Sequence, residues 1–375
     1  GVMSALAVLC ALGCASSSSS GGGGTVQFTA SGEVLALGGY DFPADPDFVD
    51  GWQIRFDELL VTLDDITLSE NPDKSPSDQS KTDKAVARVK GPWAIDLHKG
   101  GPLQGKGGSD EQAVAIAKIE DQNLNGGAPF DDTRRYAFGF DVVAASDSAK
   151  QVNLDDTAKQ DYATMVQNGW AVLYVGTATF EGTDCTSTDP SYDFGKLPKT
   201  VTFRLGFKSP TTYVNCQNPD NDPAKPLGDD EHERGVQIKA NATTIAQATI
   251  HTDHPFWEST VHDSPAHFDA LAAHAKDVGG APTVTLDDLQ GVDFTAFTDA
   301  DGKPLPWRSC DPAYTPPDMA KEMHYDTQGI PHDPSGDPSK VLRDLVDYMT
   351  YNQSTQGHLN SDGLCFVKRN YPSPP

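Results

Sequence analysis

Alternation of apolar and polar residues in short β-prone segments is the feature that most restricts the fold of this chain. Between residues 25 and 252 these segments are bounded by Gly, Pro, Asn and Asp, which end strands and form turns. In one of them Tyr136, Phe138 and Phe140 share a face, because successive side chains of a strand point to opposite sides. Strands are predicted in this way at residues 25–37, 52–68, 85–97, 135–144, 170–180, 200–207 and 236–250. Short strands with few helices between them favour a mainly β fold, an antiparallel β-sandwich of two packed sheets.

After residue 252 the pattern becomes helical. Two dipeptides place an N-cap residue before a proline, as helix starts do: Ser264-Pro265 and Asp337-Pro338. A further short helix is predicted over residues 157–167. We therefore expect residues 25–262 to form the sandwich, and residues 263–375 to form a helical and irregular C-terminal region packed on it.

The net charge excludes one class of partner. Lys and Arg number 28 against 54 Asp and Glu, which gives a net charge of −26 and a pI near 4.5. A field of this sign repels phosphate backbones and attracts cations, so no nucleic-acid partner is expected. No nucleotide is expected either. The segment GGPLQGKG at residues 100–107 has Gly107 where a phosphate-binding loop carries the Ser or Thr that ligates magnesium.

The first 24 residues predict export. An apolar run with small residues leads to Cys14, and a Ser and Gly tract follows it. This order is typical of a bacterial lipoprotein signal peptide, partial here because a basic segment is missing, with Cys14 as the lipidated residue. We expect residues 1–14 to be that signal and residues 15–24 to be a flexible tether. The prediction is a lipid-anchored protein of the bacterial cell envelope, at the outer membrane or cell surface; a buried N-terminal helix is the alternative.

The remaining cysteines fit an oxidising compartment. Cys185, Cys216, Cys310 and Cys365 form an even set without a CxxC pair, and two disulfides are the expected use of such a set in an exported protein. Four cysteines allow three pairings. Their order suggests Cys185 with Cys216 and Cys310 with Cys365. A zinc site of four thiolates is the alternative, although such wide spacings lack the close ligand pairs of those sites.

Histidines are the main candidates for chemistry. Five of the ten lie between residues 251 and 274, and imidazole is the commonest transition-metal ligand. His251, Asp253 and His254 follow a predicted strand and offer two rings and a carboxylate. Positions i and i+3 of a strand face opposite sides, so the two rings bind one ion only if the chain turns near Asp253, and Pro255 favours such a turn.

A third ligand is expected from His98, at another strand end, or from His358 in the C-terminal tail. Three nitrogen ligands would suit zinc or copper. Calcium is the less favoured ion, because the acidic loops at residues 220–222 and 299–302 lack the later bidentate Glu of a calcium loop. The alternative to a metal site is that these rings are hydrogen-bonded structural groups.

Four stretches of the chain resemble a group of uncharacterised envelope lipoproteins of myxobacteria and related Gram-negative bacteria. They are DLHKGGPL at 96–103, YAFGFD at 136–141, TIHTDHPF at 249–256 and QGHLN at 356–360. The resemblance implies a tethered, β-rich domain and carries no catalytic residue to this chain. A fainter similarity, to β-sandwich periplasmic copper-handling lipoproteins, rests on architecture alone.

The sequence leads to three hypotheses for function. The first is an envelope binding protein, not an enzyme, that holds zinc or copper through the residues named above. The second is a surface module that binds a glycan, peptide or envelope protein without metal, through loops and exposed aromatic side chains such as Trp257 and Trp307. The third is a metal-dependent hydrolase with Glu258 as its general base.

Overall fold

A computed structural model describes residues 23–44, 46–221, 231–317 and 321–375. The predicted signal peptide, Cys14 and most of the predicted tether lie outside the described residues. Within these residues, no helix has the length and apolar character needed to cross a membrane.

Strands dominate the regular structure, as the alternation predicts. The first half of the chain forms β1 (Thr25–Ser31), β2 (Trp52–Ser69), β3 (Ala85–Val89), β4 (Trp93–Asp96), β5 (Leu103–Gln104), β6 (Gln112–Ile119), β7 (Arg135–Val142), β8 (Lys150–Gln151), β9 (Val172–Phe180) and β10 (Thr186–Ser187). The second half forms β11 (Thr200–Phe207), β12 (Thr211–Val214), β13 (Val236–Gln237), β14 (Thr243–Ile250), β15 (Lys276–Val278), β16 (Ala281–Thr285), β17 (Arg308–Ser309), β18 (Gly357–Leu359), β19 (Gly363–Leu364) and β20 (Phe366–Arg369).

Two large sheets contain nearly all of these strands. The larger has twelve strands built around β2, with the path β15-β16-β11-β9-β2-β7-β12-β20. The smaller has six, in the order β19-β18-β14-β1-β6-β5. Most neighbours are antiparallel, but β1 with β14, β11 with β16 and β4 with β8 are parallel, so the sheets are mixed. The predicted mainly β class is confirmed.

The aromatic residues of the alternating segments form the core between the sheets. Tyr136, Phe138 and Phe140 of β7 are at most 2% exposed. The ring of Phe138 lies 6.2 Å from that of Phe28 in β1, which belongs to the other sheet. Burying one such side chain stabilises a fold by roughly 1.5–3 kcal/mol. The period-two pattern therefore specifies which face of each strand meets the opposite sheet.

Helices are few and short. They are α1 (Glu33–Gly38), α2 (Asp156–Asn168), α3 (Asp269–Ala273) and α4 (Leu345–Gln353), with 3-10 turns at Phe194–Lys196, His254–Phe256 and Leu286–Leu289. The expected helix over 157–167 is α2. Its first turn is capped by Asp155, whose carboxylate accepts from the Ala158 N–H at 2.9 Å.

The two predicted C-terminal helix starts are placed too early. Asp337 accepts from the Ser339 N–H in a local turn, and the cap of α4 is Asp344, seven residues later. After Ser264-Pro265 the helix α3 begins only at Asp269. In both cases the predicted start forms a local Asx or proline turn, and the residues directly after it do not continue as a helix. Strands of the C-terminal region also join both sheets: β15, β16 and β20 lie in the larger sheet, and β18 and β19 lie in the smaller one. The expected domain boundary at residue 262 stays a prediction.

The two disulfides form, but the expected pairing is wrong. Cys185 is bonded to Cys310 and Cys216 to Cys365. Each bond lies at the end of a strand pair that joins distant parts of the chain: β10 with β17, and β12 with β20. Strand pairing across 125 and 149 residues brings these sulfurs together, so proximity in sequence was the wrong guide. Disulfides are compatible with an extracytoplasmic protein.

We expect the C216A/C365A double variant to lose about 2–5 kcal/mol of unfolding free energy, because the disulfide restricts a long loop in the unfolded chain. Urea denaturation of the variant and of the wild type measures the difference. Peptide mapping under non-reducing conditions tests the pairing, and a peptide joining Cys185 to Cys216 would contradict it.

Candidate metal centre

The centre lies where β14 of the smaller sheet ends. After Ile250 the chain turns into the 3-10 helix His254–Phe256, in which the Phe256 N–H donates to the Asp253 carbonyl at 2.8 Å. The turn expected from Pro255 is therefore present. It carries His251 and His254 to the same side of the sheet edge, with ring centroids 5.4 Å apart.

The neighbouring strand supplies the third ring. β18 pairs antiparallel with β14, which puts His358 opposite Thr249. The ring of His358 stacks on that of His251 at 3.9 Å and lies 5.4 Å from that of His254. Of the two candidates for a third ligand, the structure therefore brings His358 into the site.

A fourth ring, that of His262, completes the group, and sequence reasoning missed it. One nitrogen from each of His251, His254, His262 and His358 lies within 4.8 Å of the others. We call these residues the four-histidine group. His262 follows the 3-10 helix in an irregular segment, where no periodicity predicts direction. Its place within the dense histidine run was the only available signal.

The hydrogen bonds of His254 show which of its two ring nitrogens carries the proton. Its Nδ1 lies 2.7 Å from the hydroxyl of Thr355. That hydroxyl donates its own proton to the Asn352 carbonyl at 2.7 Å, so it accepts from Nδ1–H. The lone pair of His254 is therefore on Nε2, a buried atom without a hydrogen-bond partner within the described residues.

The same arrangement holds at His262. Its Nδ1 lies 3.0 Å from the Asp263 carboxylate, and its Nε2 is buried without a partner in the described parts of the chain. A carboxylate on the far nitrogen of a histidine is the common outer contact of metal-binding imidazoles. His358 is completely buried; the backbone of Asp362 and Thr355 lies close enough to favour its charged form, but neither ring nitrogen has a well-aligned hydrogen bond to a described residue.

Burial controls the charge of these rings. Burial, and then the positive charge that the neighbouring histidines would carry, lower the pKa of His254 and His358 well below the usual value. Burial also disfavours charge on His251, but the hydrogen bond and negative charge of Glu33 outweigh it and raise the pKa of His251 to about 9. Two rings of the group are thus neutral at pH 7.

Two expected ligands lie outside the four-histidine group. Nδ1 of His98 is hydrogen-bonded to the Ala36 carbonyl in α1 at 2.8 Å, because the end of β4 faces that helix. The Asp253 carboxylate accepts from Trp257 Nε1 at 2.7 Å. Trp257 in turn stacks on the ring of His254 at 3.7 Å, so Asp253 positions a ring that supports the group.

Other expected groups have different roles. Trp257 and Trp307 are 2% and 0% exposed, so they are not the exposed aromatic side chains of a binding surface. Glu258 is hydrogen-bonded to His267 Nε2 at 2.7 Å and to the Tyr314 hydroxyl at 2.6 Å, which commits its carboxylate elsewhere. Asp299 accepts from the N–H groups of Asp301 and Lys303, as in an ordinary acidic turn.

Comparisons of the chain with protein-family models, with curated proteins and with solved structures find no match. The donor atoms themselves therefore carry the functional conclusion. Four imidazoles, each with one nitrogen within 4.8 Å of the others, offer the kind of donor set that a borderline transition-metal ion prefers.

We expect the chelator-treated protein to lose stability in acid partly through this group. Unfolded histidines take up protons below about pH 6.5, whereas the folded state keeps His358 neutral, so its contribution falls as the pH drops. Relative to H358Q, the wild type should lose about 1 kcal/mol between pH 6.5 and 5.5. Urea denaturation at both pH values checks this; parallel losses in the two proteins would contradict it.

Proposed function

We propose that this protein binds a transition-metal ion, with zinc as the preferred ion, through the four-histidine group. One observation carries the proposal. One ring nitrogen from each of the four histidines lies within 4.8 Å of the others, and Nε2 of His254, Nε2 of His262 and both ring nitrogens of His358 are buried without a hydrogen-bond partner among the described residues. A buried polar atom left unpaired costs about 1–3 kcal/mol, and a bound ion would supply the missing bonds.

The donor set favours zinc over the other ions considered. Zinc takes four ligands in a tetrahedron, with zinc to nitrogen distances of about 2.0–2.1 Å. Copper shares the preference for imidazole and stays the second candidate. Calcium takes oxygen ligands, and the four-histidine group offers it only nitrogens.

Charge and access also support a metal ion. The net charge of −26 attracts cations, and carboxylates of Asp253 and Asp263 contact side chains of the group or of its support. The His262 side chain is 33% exposed, whereas His254 and His358 are fully buried. An ion would thus enter past His262 and be held against the two buried rings.

The proposal also includes the cellular location of the protein. The predicted signal, Cys14 and the Ser/Gly tether would anchor the domain in the bacterial envelope, and the disulfides agree with an oxidising compartment. We therefore propose a lipid-anchored, metal-binding envelope protein. Four protein nitrogens would close the coordination shell, which suits binding or storage of the ion better than hydrolysis at an open position.

We expect the H254A/H358A double variant to lose the bound ion. The wild-type chain, expressed with zinc and purified without a histidine tag, should retain zinc after dialysis, because the two substituted rings are its buried ligands. Elemental analysis by mass spectrometry gives the zinc content per chain.

The matched control is H98A, which removes a histidine that the structure places outside the four-histidine group. H98A should keep the wild-type zinc content. Equal zinc in the wild type and in H254A/H358A would overturn the proposal.

Zinc affinity should rise with pH between 6.5 and 9. His251 has a pKa raised to about 9, so binding at neutral pH displaces a proton from this ring, while His254 and His358 are already neutral. One displaced proton corresponds to about a tenfold gain in affinity per pH unit. Competition titrations with a chromophoric chelator measure it, and a pH-independent affinity would show that His251 is not a ligand.

A further inference from the structure

We infer that a second divalent-cation subsite adjoins the four-histidine group, formed by Glu33, Asp362 and His251, so that the centre holds two ions. The inference rests on the proposed function, because His251 belongs to both groups. Ligand atoms of Glu33, His251 and Asp362 lie within 4.8 Å of one another. We call these residues the carboxylate subsite.

Oxygen atoms surround one edge of the shared ring. Nε2 of His251 lies 3.4 Å from Glu33 Oε1 and 3.2 Å from the Ser361 carbonyl. The Ser361 hydroxyl donates to the same Glu33 oxygen at 2.9 Å, which fixes that carboxylate. An imidazole has two ring nitrogens, so a His251 ring that binds the second ion through Nε2 has Nδ1 left to bind the first. To serve both ions, the His251 ring would release both of its ring protons to solvent.

Two separate elements hold the carboxylates in place. Glu33 begins α1, and its N–H donates to the Ser31 hydroxyl at 2.9 Å. Asp362 lies in the turn between β18 and β19. In the same turn the Asn360 side chain accepts from the Gln247 N–H of β14 at 2.9 Å. The turn is therefore anchored to the strand that leads into the four-histidine group.

Three residues around the His251 ring have unusual backbone conformations. Glu33, Asn360 and Ser361 have φ angles of 62°, 52° and 77°, in the left-handed region that residues other than glycine rarely adopt. Such conformations cost free energy and are concentrated at functional sites. Here they direct the Glu33 carboxylate and the Ser361 carbonyl at one ring.

Carboxylates outnumber cationic side chains around the centre. Glu33 is only 16% exposed, and His251 is its one ion-pair partner among the described residues. In those parts of the chain no Lys or Arg forms an ion pair with Glu33, Asp253 or Asp362. If carboxylates here only held the His251 ring in position, one would be enough. The carboxylate subsite has two, Glu33 and Asp362, as a set of ligands to a cation would.

The donor set defines the class of ion. The carboxylate subsite offers one imidazole nitrogen together with carboxylate and carbonyl oxygens, which is a harder ligand set than four imidazoles. Such a set suits zinc, manganese or ferrous iron. Asp362 is exposed, so water completes the coordination there. The four-histidine group is closed by comparison. The two subsites should therefore differ in affinity and in exchange rate.

Zinc stoichiometry tests the inference. Chelator-treated full-length protein is titrated with zinc in a calorimeter, and the zinc retained after dialysis is measured by elemental analysis. The wild type should bind two ions per chain in two phases. E33Q and D362N should each bind one, and D362N should keep the wild-type affinity of the four-histidine group. E33Q keeps the shape of the side chain and D362N changes an exposed residue, so neither variant should disturb the core. The ion that each variant still binds shows that its four-histidine group is folded.

The control is E120Q/D156N, which removes two charges from side chains that are 76% and 97% exposed and lie outside both groups. It should still bind two ions. One ion in the wild type, with weaker binding in E33Q, would overturn the second subsite and make Glu33 a hydrogen-bond partner of His251. No ion in the wild type would overturn the proposed function as well.

Discussion

The antiparallel pairing of β14 with β18 is the contact on which the candidate metal centre depends. It places His358 beside the end of β14, just where the chain bends and carries His251 and His254 to the same side. The disulfide from Cys216 to Cys365 links the β18–β19 hairpin to the end of β12 in the larger sheet. Two sheets therefore fix the backbone beneath the rings, and the rings meet without a rearrangement of the fold.

Another buried histidine shows what a structural imidazole looks like in this protein. His267 is fully buried, with Glu258 at 2.7 Å from Nε2 and Asp50 at 3.8 Å from Nδ1. Burial disfavours its charge, but these carboxylates outweigh burial, so the pKa of His267 is raised. His254 and His358 lack such compensation and have a lowered pKa. The chain thus supplies counter-charges to one buried ring and leaves lone pairs free on the others.

Local patterns predicted the longer strands except β6, the bend at Pro255 and two of the histidines, because period-two alternation and proline geometry act within a few residues. Residues 33–37, expected to extend the first strand, lie in α1 instead. The centre as a whole depends on contacts between distant segments. His98 ends a strand that faces α1, and His262 lies in an irregular loop, so neither position could be read from spacing. The disulfide partners follow strand pairs more than 100 residues apart in sequence. Strand pairs of this kind leave no signal in the local sequence, so the disulfide pairing expected from the order of the cysteines was wrong.

The most direct test of a metal centre here is the position of the ion. Crystals of the zinc-loaded protein, measured on both sides of the zinc absorption edge, should show an anomalous peak at about 2.0–2.1 Å from one nitrogen each of His251, His254, His262 and His358. A peak bound only by surface carboxylates, with the four rings as they are now, would contradict the account.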